Sequence, residues 1–408
     1  MSPSPLGDRP VTNATLMQPI RPDLWLLDPE VAHLNHGSYG AVPRPVLEAQ
    51  RRAAEAIERS PERFYRAELA PAVDGVRRRV AEFLATDPDG LVLLQNATEA
   101  VQVVLSSLPL EPLAEIVYTD HTYPWVKAAI ERARAERGVV PRCVALPNRS
   151  WLADVLGPGL SDGLSEAEFA AALVTTLKGA LNERTALVVL DQITSASALR
   201  LPVEAVCAEL GDQVPVLIDG AHAPGLIDAP VPKGAAFWLG NLHKWAFAAR
   251  TAAALVVAPA WRERVRPLVA SAGAARGFPG SFSYLGTQDP TAYLALPAAL
   301  AFPADHLGMT FRQLRERNTA VLELGLARLH DALGWRLPPG NGLPMRAVPL
   351  GRAGGDAEAG ELGGRLREKG VEVAMTSPDG QLHLRLSVQA YVGVEEFARL
   401  ATALAEVV

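Results

Sequence analysis

Residues 214–250 read VPVLIDGAHAPGLIDAPVPKGAAFWLGNLHKWAFAAR. Two apolar runs of strand length lie in this stretch. One ends in Asp219-Gly-Ala-His222, the other in Gly240-Asn-Leu-His243-Lys244-Trp245. A carboxylate and an amine are thus delivered from the ends of two successive core strands. Apolar runs without alternation mark strands covered on both faces. In open parallel sheets, ligands bind outside the carboxyl ends of the strands. An acid and an amine so placed suit a cofactor with a basic ring nitrogen at one end and an aldehyde at the other.

Working outward, the same texture runs upstream. Short apolar runs at 91–94, 116–119, 139–146, 186–190 and 252–258 predict strands, and helices fall between most of them. Two helices come first, over 45–66 and 73–84, with apolar residues on one side of each. Ser165 and Glu168 form a capping-box pattern that starts a helix running to Ala180. Strands alternating with helices predict an α/β fold with a mainly parallel sheet. Beyond residue 260 the rhythm loosens. A long amphipathic helix over 311–333 leads into a different composition, with strands at 371–375 and 382–387, the second alternating with period two. That tail predicts a smaller C-terminal α+β domain. Three parts follow: a loose Pro/Ser-rich arm (1–20), a large domain (21–310) whose 21–70 segment also serves the small domain and site, and a small domain (311–408). The piece 33–40 reads as a loop. The glycine-rich stretch 351–364 reads as a mobile loop, since it lacks the strand, GxGxxG and helix order of a nucleotide site.

Composition narrows the class. The chain has 408 residues, 49% hydrophobic and 21% charged, and a net charge of −6. That balance offers no basic field for nucleic acid or anionic membrane. Two cysteines, Cys143 and Cys207, exclude a disulfide scaffold and a thiolate metal cluster. No signal peptide or transmembrane run is evident, so the expectation is a cytoplasmic protein without nucleic acid or membrane partners.

Polar clusters recur at the expected carboxyl ends of strands: Asn96-Ala97-Thr98, Asp120-His121-Thr122-Tyr123, Asp191-Gln192-Ile193-Thr194, Asp219 to His222, and Asn241 to Lys244. A strand-end Asp often only caps the next helix. Five clusters together exceed what capping explains. The segments DGAHAPG, GNLHKW, QNATEA, TDHTYP and LNHGSYGA resemble the class V aminotransferase superfamily, most closely its isopenicillin N epimerase-like branch, over about residues 30–400. The resemblance implies the aspartate-aminotransferase-like fold of pyridoxal 5'-phosphate enzymes, with a seven-stranded, mainly parallel sheet. It also implies a homodimer acting on an amino acid.

Through that resemblance each site residue acquires an expected role. Lys244 forms the Schiff base with the cofactor aldehyde; a surface lysine is the plain alternative. Asp219 pairs with the pyridinium nitrogen and makes the ring an electron sink. His222 reaches the ring's 3-oxygen. Ala97 and Thr98 open a helix that suits the phosphate, with Asn241, His243 and Thr287 as further donors. His121 or Tyr123 stacks on the ring, with His121 preferred and Tyr123 then serving as an acid/base group, and Asp191 and Thr194 line the ring's other edge. Arg385 holds the substrate carboxylate through its fork of donors, and Asn35 and His36 close over the substrate.

All reactions of this cofactor on amino acids share that set. The reading favours epimerisation or β-elimination at carbon–sulfur bonds. Class V aminotransferase or cysteine desulfurase-like activity stands as the alternative. Cys143 falls in an expected strand and Cys207 in a helix, so neither suits a desulfurase's mobile-loop nucleophile. From other classes, a metal-dependent hydrolase using Asp219, His222 and His243 lacks an HExxH or close His pair. A catalytically silent binding protein would have lost the lysine or the aspartate. No metal is expected.

Overall fold

The protein is described by a computed structural model covering residues 18–147, 165–270, 272–335, 337, 340–378 and 380–407. Most of the N-terminal arm expected at 1–20 lies outside the described residues. The strands, in chain order, are β1 (Ala32–His33), β2 (Leu91–Leu94), β3 (Glu115–Thr119), β4 (Val140–Val144), β5 (Thr185–Asp191), β6 (Val216–Asp219), β7 (Phe237–Asn241), β8 (Ala253–Val257), β9 (Met345–Ala353), β10 (Val371–Glu372), β11 (Ala374–Thr376) and β12 (Gln381–Ser387).

Two compact units emerge. The larger is Pro45–Leu300; the smaller joins the chain up to Arg44 with everything from Ala301. From sequence, the boundary was set at 310. It falls earlier because Phe302 packs edge-on against Trp25, 5.5 Å between ring centroids, in the smaller unit.

The larger unit holds one seven-stranded sheet in the order β2-β8-β7-β6-β5-β3-β4. Neighbours from β7 through β4 are parallel, and β8 runs antiparallel to both β7 and β2. β2 therefore points the same way as β3, β5, β6 and β7. Those five share one carboxyl edge, where every polar cluster named above begins. β2, β6, β7 and β8 are buried along their whole length. This is why they read as apolar runs and not as alternating ones. Trp238 of β7 is fully buried beneath this edge and donates its ring N–H to Gln192 at 3.0 Å. A Cβ at Gly240 would run into that indole, so glycine is what lets β7 carry the tryptophan just below the site.

Helix limits follow local chemistry. The expected 45–66 helix ends instead at Glu58, and a new turn starts at Pro61, whose missing N–H is harmless only at a helix start. The Ser165 capping box forms as expected. So does the helix Phe311–Leu333, closed by Gly334 in the left-handed conformation.

In the smaller unit, β11-β12-β9 form an antiparallel sheet, and β1 pairs in parallel with β10. Two sequence readings change here. Residues 351–364 are no loop: β9 runs to Ala353, and Asp356–Glu368 is a helix. Ala359, Leu362 and Leu366 bury one face of it, Asp356 and Glu358 occupy its first turn, and Arg365 and Arg367 its last. This placement of charge favours the helix dipole. Helical spacing of a few apolar residues outweighed the cost of its glycines. The piece 33–40 is likewise more than a loop, comprising β1 and the short helix His36–Tyr39.

Candidate active site

Lys244 follows β7 and His222 follows β6, and their side chains meet. Lys244 Nζ lies 3.1 Å from His222 Nε2. On the other side of the imidazole, Trp245 Nε1–H donates to His222 Nδ1 at 3.3 Å. The indole N–H is always a donor, so the proton of a neutral His222 resides on Nε2. There it can donate to the amine once the amine has given up its own proton. Gly225 locks the two turns together. Its φ is +87°, and a Cβ there would sit 2.7 Å from the Trp245 carbonyl oxygen.

Asp219 is the last residue of β6, only 3% exposed, and accepts a hydrogen bond from the Ala221 N–H at 2.9 Å. Burial pushes its carboxyl up, while the Ala221 N–H and Lys244 oppose that shift. Asp191 ends the neighbouring strand in register with it. Burial, then the charge of Asp219, pushes Asp191 well above the usual carboxylate range. The Thr122 hydroxyl and the Tyr123 N–H donate to Asp191, yet its buried Oδ2 has no hydrogen-bond partner among the described residues.

Further along the edge, His121 is buried and its Nδ1 lies 2.7 Å from Ser197 Oγ. Ser197 Oγ in turn lies 2.7 Å from Thr194 Oγ1, which accepts from the Leu199 N–H at 2.8 Å. His121 and Thr194 are thus tied through Ser197, a residue the sequence reading missed. The run Thr194-Ser195-Ala196-Ser197 offered two serines and no way to choose between them.

At the start of the helix Ala97–Ser107, the Asn96 side chain accepts from the Glu99 N–H, and Asn241 Oδ1 accepts from the Ala97 N–H, both at 2.9 Å. Ala97 is therefore engaged by Asn241. The exposed Thr98, with amide and hydroxyl, is the first-turn donor left for an anion. His243 Nδ1 lies 2.9 Å from the Ala252 carbonyl oxygen, and burial lowers its pKa from 6.5 to about 4. Its Nε2 has no partner among the described residues.

Tyr123 caps the helix Pro124–Arg137, and its ring packs partly against the apolar core. Thr287 is exposed in the loop after Phe282, and no hydrogen bond joins it to the Lys244 cluster among the described residues.

The smaller unit carries its own cluster. Arg385 of β12 is buried and donates through Nη2 to Ser38 Oγ at 2.6 Å and Asn35 Oδ1 at 3.2 Å. Ser387 Oγ accepts from the Gly37 N–H at 2.8 Å, which zips this loop to the strand end. His36 is held on both ring nitrogens, by Tyr391 OH at 2.9 Å and Gln389 Nε2 at 3.3 Å. The alternation of β12 suggested one solvated face. His383, Arg385 and Ser387 are nevertheless all buried.

Pyridoxal 5'-phosphate fits the larger unit's residues. It would bring a ring nitrogen for the buried Asp219, an aldehyde for Lys244, hydrogen-bonding atoms near the unpartnered Asp191 oxygen, and a phosphate for Thr98 and His243. Among the described residues, no three His, Cys, Asp or Glu side chains group to hold a metal ion.

No protein-family model matches the chain. Known proteins do. Isopenicillin N epimerase of Streptomyces clavuligerus is 31% identical, covering 93% of this chain and 95% of that protein. The Amycolatopsis lactamdurans epimerase is 31% identical, at 93% and 96%. L-cysteine desulfhydrase of Arabidopsis thaliana is 28% identical, at 93% and 88%. Among solved structures, the cystine C–S lyase C-DES superposes with a TM-score of 0.73 at 20% identity, covering 92% of this chain and 98% of that one. That likeness speaks for the fold alone. Identity of 31% over nearly the full length of both chains, joined to the lysine, aspartate and histidine at one sheet edge, places this chain in the isopenicillin N epimerase family, pyridoxal-phosphate enzymes of the class V aminotransferase superfamily.

Proposed function

We propose that the protein acts on a sulfur-bearing amino acid by β-elimination, with Lys244 moving the α-proton. The observation that carries this reading is the meeting of Lys244 Nζ and His222 Nε2 at 3.1 Å, one strand over from the buried Asp219. Bound there, pyridoxal phosphate supplies an aldehyde for the amine and a protonated ring that withdraws electrons from the α-carbon. Asp219 is the carboxyl group placed for the ring nitrogen, with the Ala221 N–H and Lys244 favouring its charged form against burial. His222, its tautomer set by Trp245, holds a proton beside Nζ. Thr98 is the phosphate donor of this reading, joined by His243 when a phosphate draws a proton onto its Nε2, and Arg385 is the residue suited to an α-carboxylate.

Elimination needs one base, whereas epimerisation needs a second group on the opposite face of the α-carbon. Tyr123 was the sequence's choice for that group. Its backbone is tied to Asp191 and its ring leans on the core, which supports elimination. Epimerisation is the second reading, favoured by the two epimerases at 31% identity. A persulfide-forming desulfurase is disfavoured because burial raises both thiols, Cys207 to about 12. The dimeric state and cytoplasmic location expected from sequence belong to this proposal. Light scattering of the purified protein tests the first and cell fractionation the second.

The deciding experiment is incubation with L-cysteine and related thiol amino acids. Sulfide, ammonia and pyruvate in equal amounts are expected. Inverted stereochemistry without ammonia would replace elimination with epimerisation. A keto acid retaining the sulfur would point to transamination.

A further inference from the structure

Two buried carboxyl groups stand side by side at the sheet edge, and one suffices for a ring nitrogen. We propose that Asp191 and Asp219 share a single proton and a single negative charge. In this arrangement Asp191 is the neutral member, positioning Asp219 as the ionised one. The proposal rests on the cofactor reading above and adds a role for Asp191.

Geometry argues first. β5 and β6 are parallel and in register, Asp191 opposite Asp219, both at their strand ends and 2–3% exposed. Two like charges so placed and shielded from water cannot both persist cheaply. The surroundings then decide which one keeps the proton. Asp219 has the Ala221 N–H and the Lys244 amine on its side. Asp191 accepts from the Thr122 hydroxyl and the Tyr123 N–H, with Lys127 the cation acting on it and Asp219 opposing its charge. Its Oδ2 is buried with no hydrogen-bond partner among the described residues. An ionised oxygen left bare in the interior costs far more than a neutral hydroxyl there. Asp191 therefore holds the proton more tightly. The Oδ2 that carries this proton is a donor available to an oxygen of the cofactor or of the bound amino acid.

The consequence is a fixed charge. Asp219 enters the neutral pH range ionised, and Asp191 prevents a second negative charge from competing for the ring.

The test uses Asp191→Asn, an isosteric mimic of a protonated carboxyl that keeps one acceptor and one donor. The infrared C=O stretch of a buried carboxylic acid should appear at pH 7 in the native protein, with and without cofactor, and vanish in D191N. Affinity for pyridoxal phosphate in D191N should stay within about fivefold of native, the cost of one neutral hydrogen bond. Asp219→Asn should lose roughly 100-fold or more, as expected for a charge-assisted contact. Asp191→Leu, of similar size but unable to mimic the acid, should not reproduce the D191N affinity. An absent band at pH 7, or a D191N loss as large as that of D219N, would overturn the proposal. Because the band is also read on cofactor-free protein, failure to bind pyridoxal phosphate would count against the reading of function without touching this one.

Discussion

The two units hold their polar clusters in opposite ways. At the edge of the larger sheet lie a buried Asp191 oxygen with no hydrogen-bond partner among the described residues, an imidazole whose pKa burial lowers, and an amine 3.1 Å from a histidine nitrogen. In the smaller unit the named groups bind one another. Arg385 donates to Ser38 and Asn35, and His36 is held at both ring nitrogens. Unsatisfied burial is costly, so a fold tolerates it where a ligand completes the set. A cluster whose members bind one another, as Arg385, Ser38 and Asn35 do, fixes the direction of a group before anything arrives. The larger unit is therefore the one proposed to carry the reacting groups, and Arg385 in the smaller unit is a guanidinium held in place by its neighbours.

The largest effect should come from the larger unit. On the proposed reading, Lys244→Ala removes the amine that bonds the aldehyde and moves the proton, so turnover should fall by ~10,000-fold or more. Borohydride reduction followed by peptide mass mapping should then find no cofactor fixed to the chain. Cofactor still fixed after reduction would mean another amine does the chemistry.

His243 supplies the next effect, visible without substrate. Its folded-state value is depressed, so protonation favours the unfolded chain. Its contribution to stability is intact above pH 6.5 and lost as pH falls toward about 4. A shift of that size corresponds to roughly 3 kcal/mol. Urea midpoints of cofactor-free protein should drop across that window, and His243→Gln should flatten the difference. Added pyridoxal phosphate should reduce the drop, because a phosphate dianion favours the charged imidazole. An identical acid slope in native and H243Q protein would show that the burial has no energetic weight.

In the smaller unit, losses should be smaller and of a different kind. Arg385→Lys keeps the charge but not the fork, so KM should rise ~10- to 100-fold with kcat changed much less. A fall in kcat with KM unchanged would mean the arginine acts on the transition state, and the contrast between the units would blur.

What the sequence could disclose follows the same division. Lys244, Asp219 and His222 announce themselves because each is a reactive type at the end of an apolar run, and the parallel order of β5, β6 and β7 brings them to one edge. Ser197, Gln192 and Trp245 do not, since serine, glutamine and tryptophan are common and their partners lie 23 to 76 residues away. Ser38 and Tyr391 escaped for the same reason, with partners more than 340 residues distant. Asp191 was legible as a residue but not as half of a pair, because strand register cannot be read from composition. The antiparallel run of β8 was equally hidden: a fully buried strand looks the same in either direction.

The glycine-rich stretch gives the smallest and cleanest test. Glycine content alone argued for a loop at 351–364, whereas the spacing of Ala359, Leu362 and Leu366 argued for a helix. Gly360 is exposed, inside that helix, with nothing within 4 Å of where a Cβ would stand. Alanine there loses no packing and restricts the unfolded chain. Gly360→Ala should therefore raise stability by about 0.5–1 kcal/mol, measured as a shifted denaturation midpoint. In a mobile loop the same change would have almost no effect. A neutral or destabilising result would return the segment to the loop that its composition suggests.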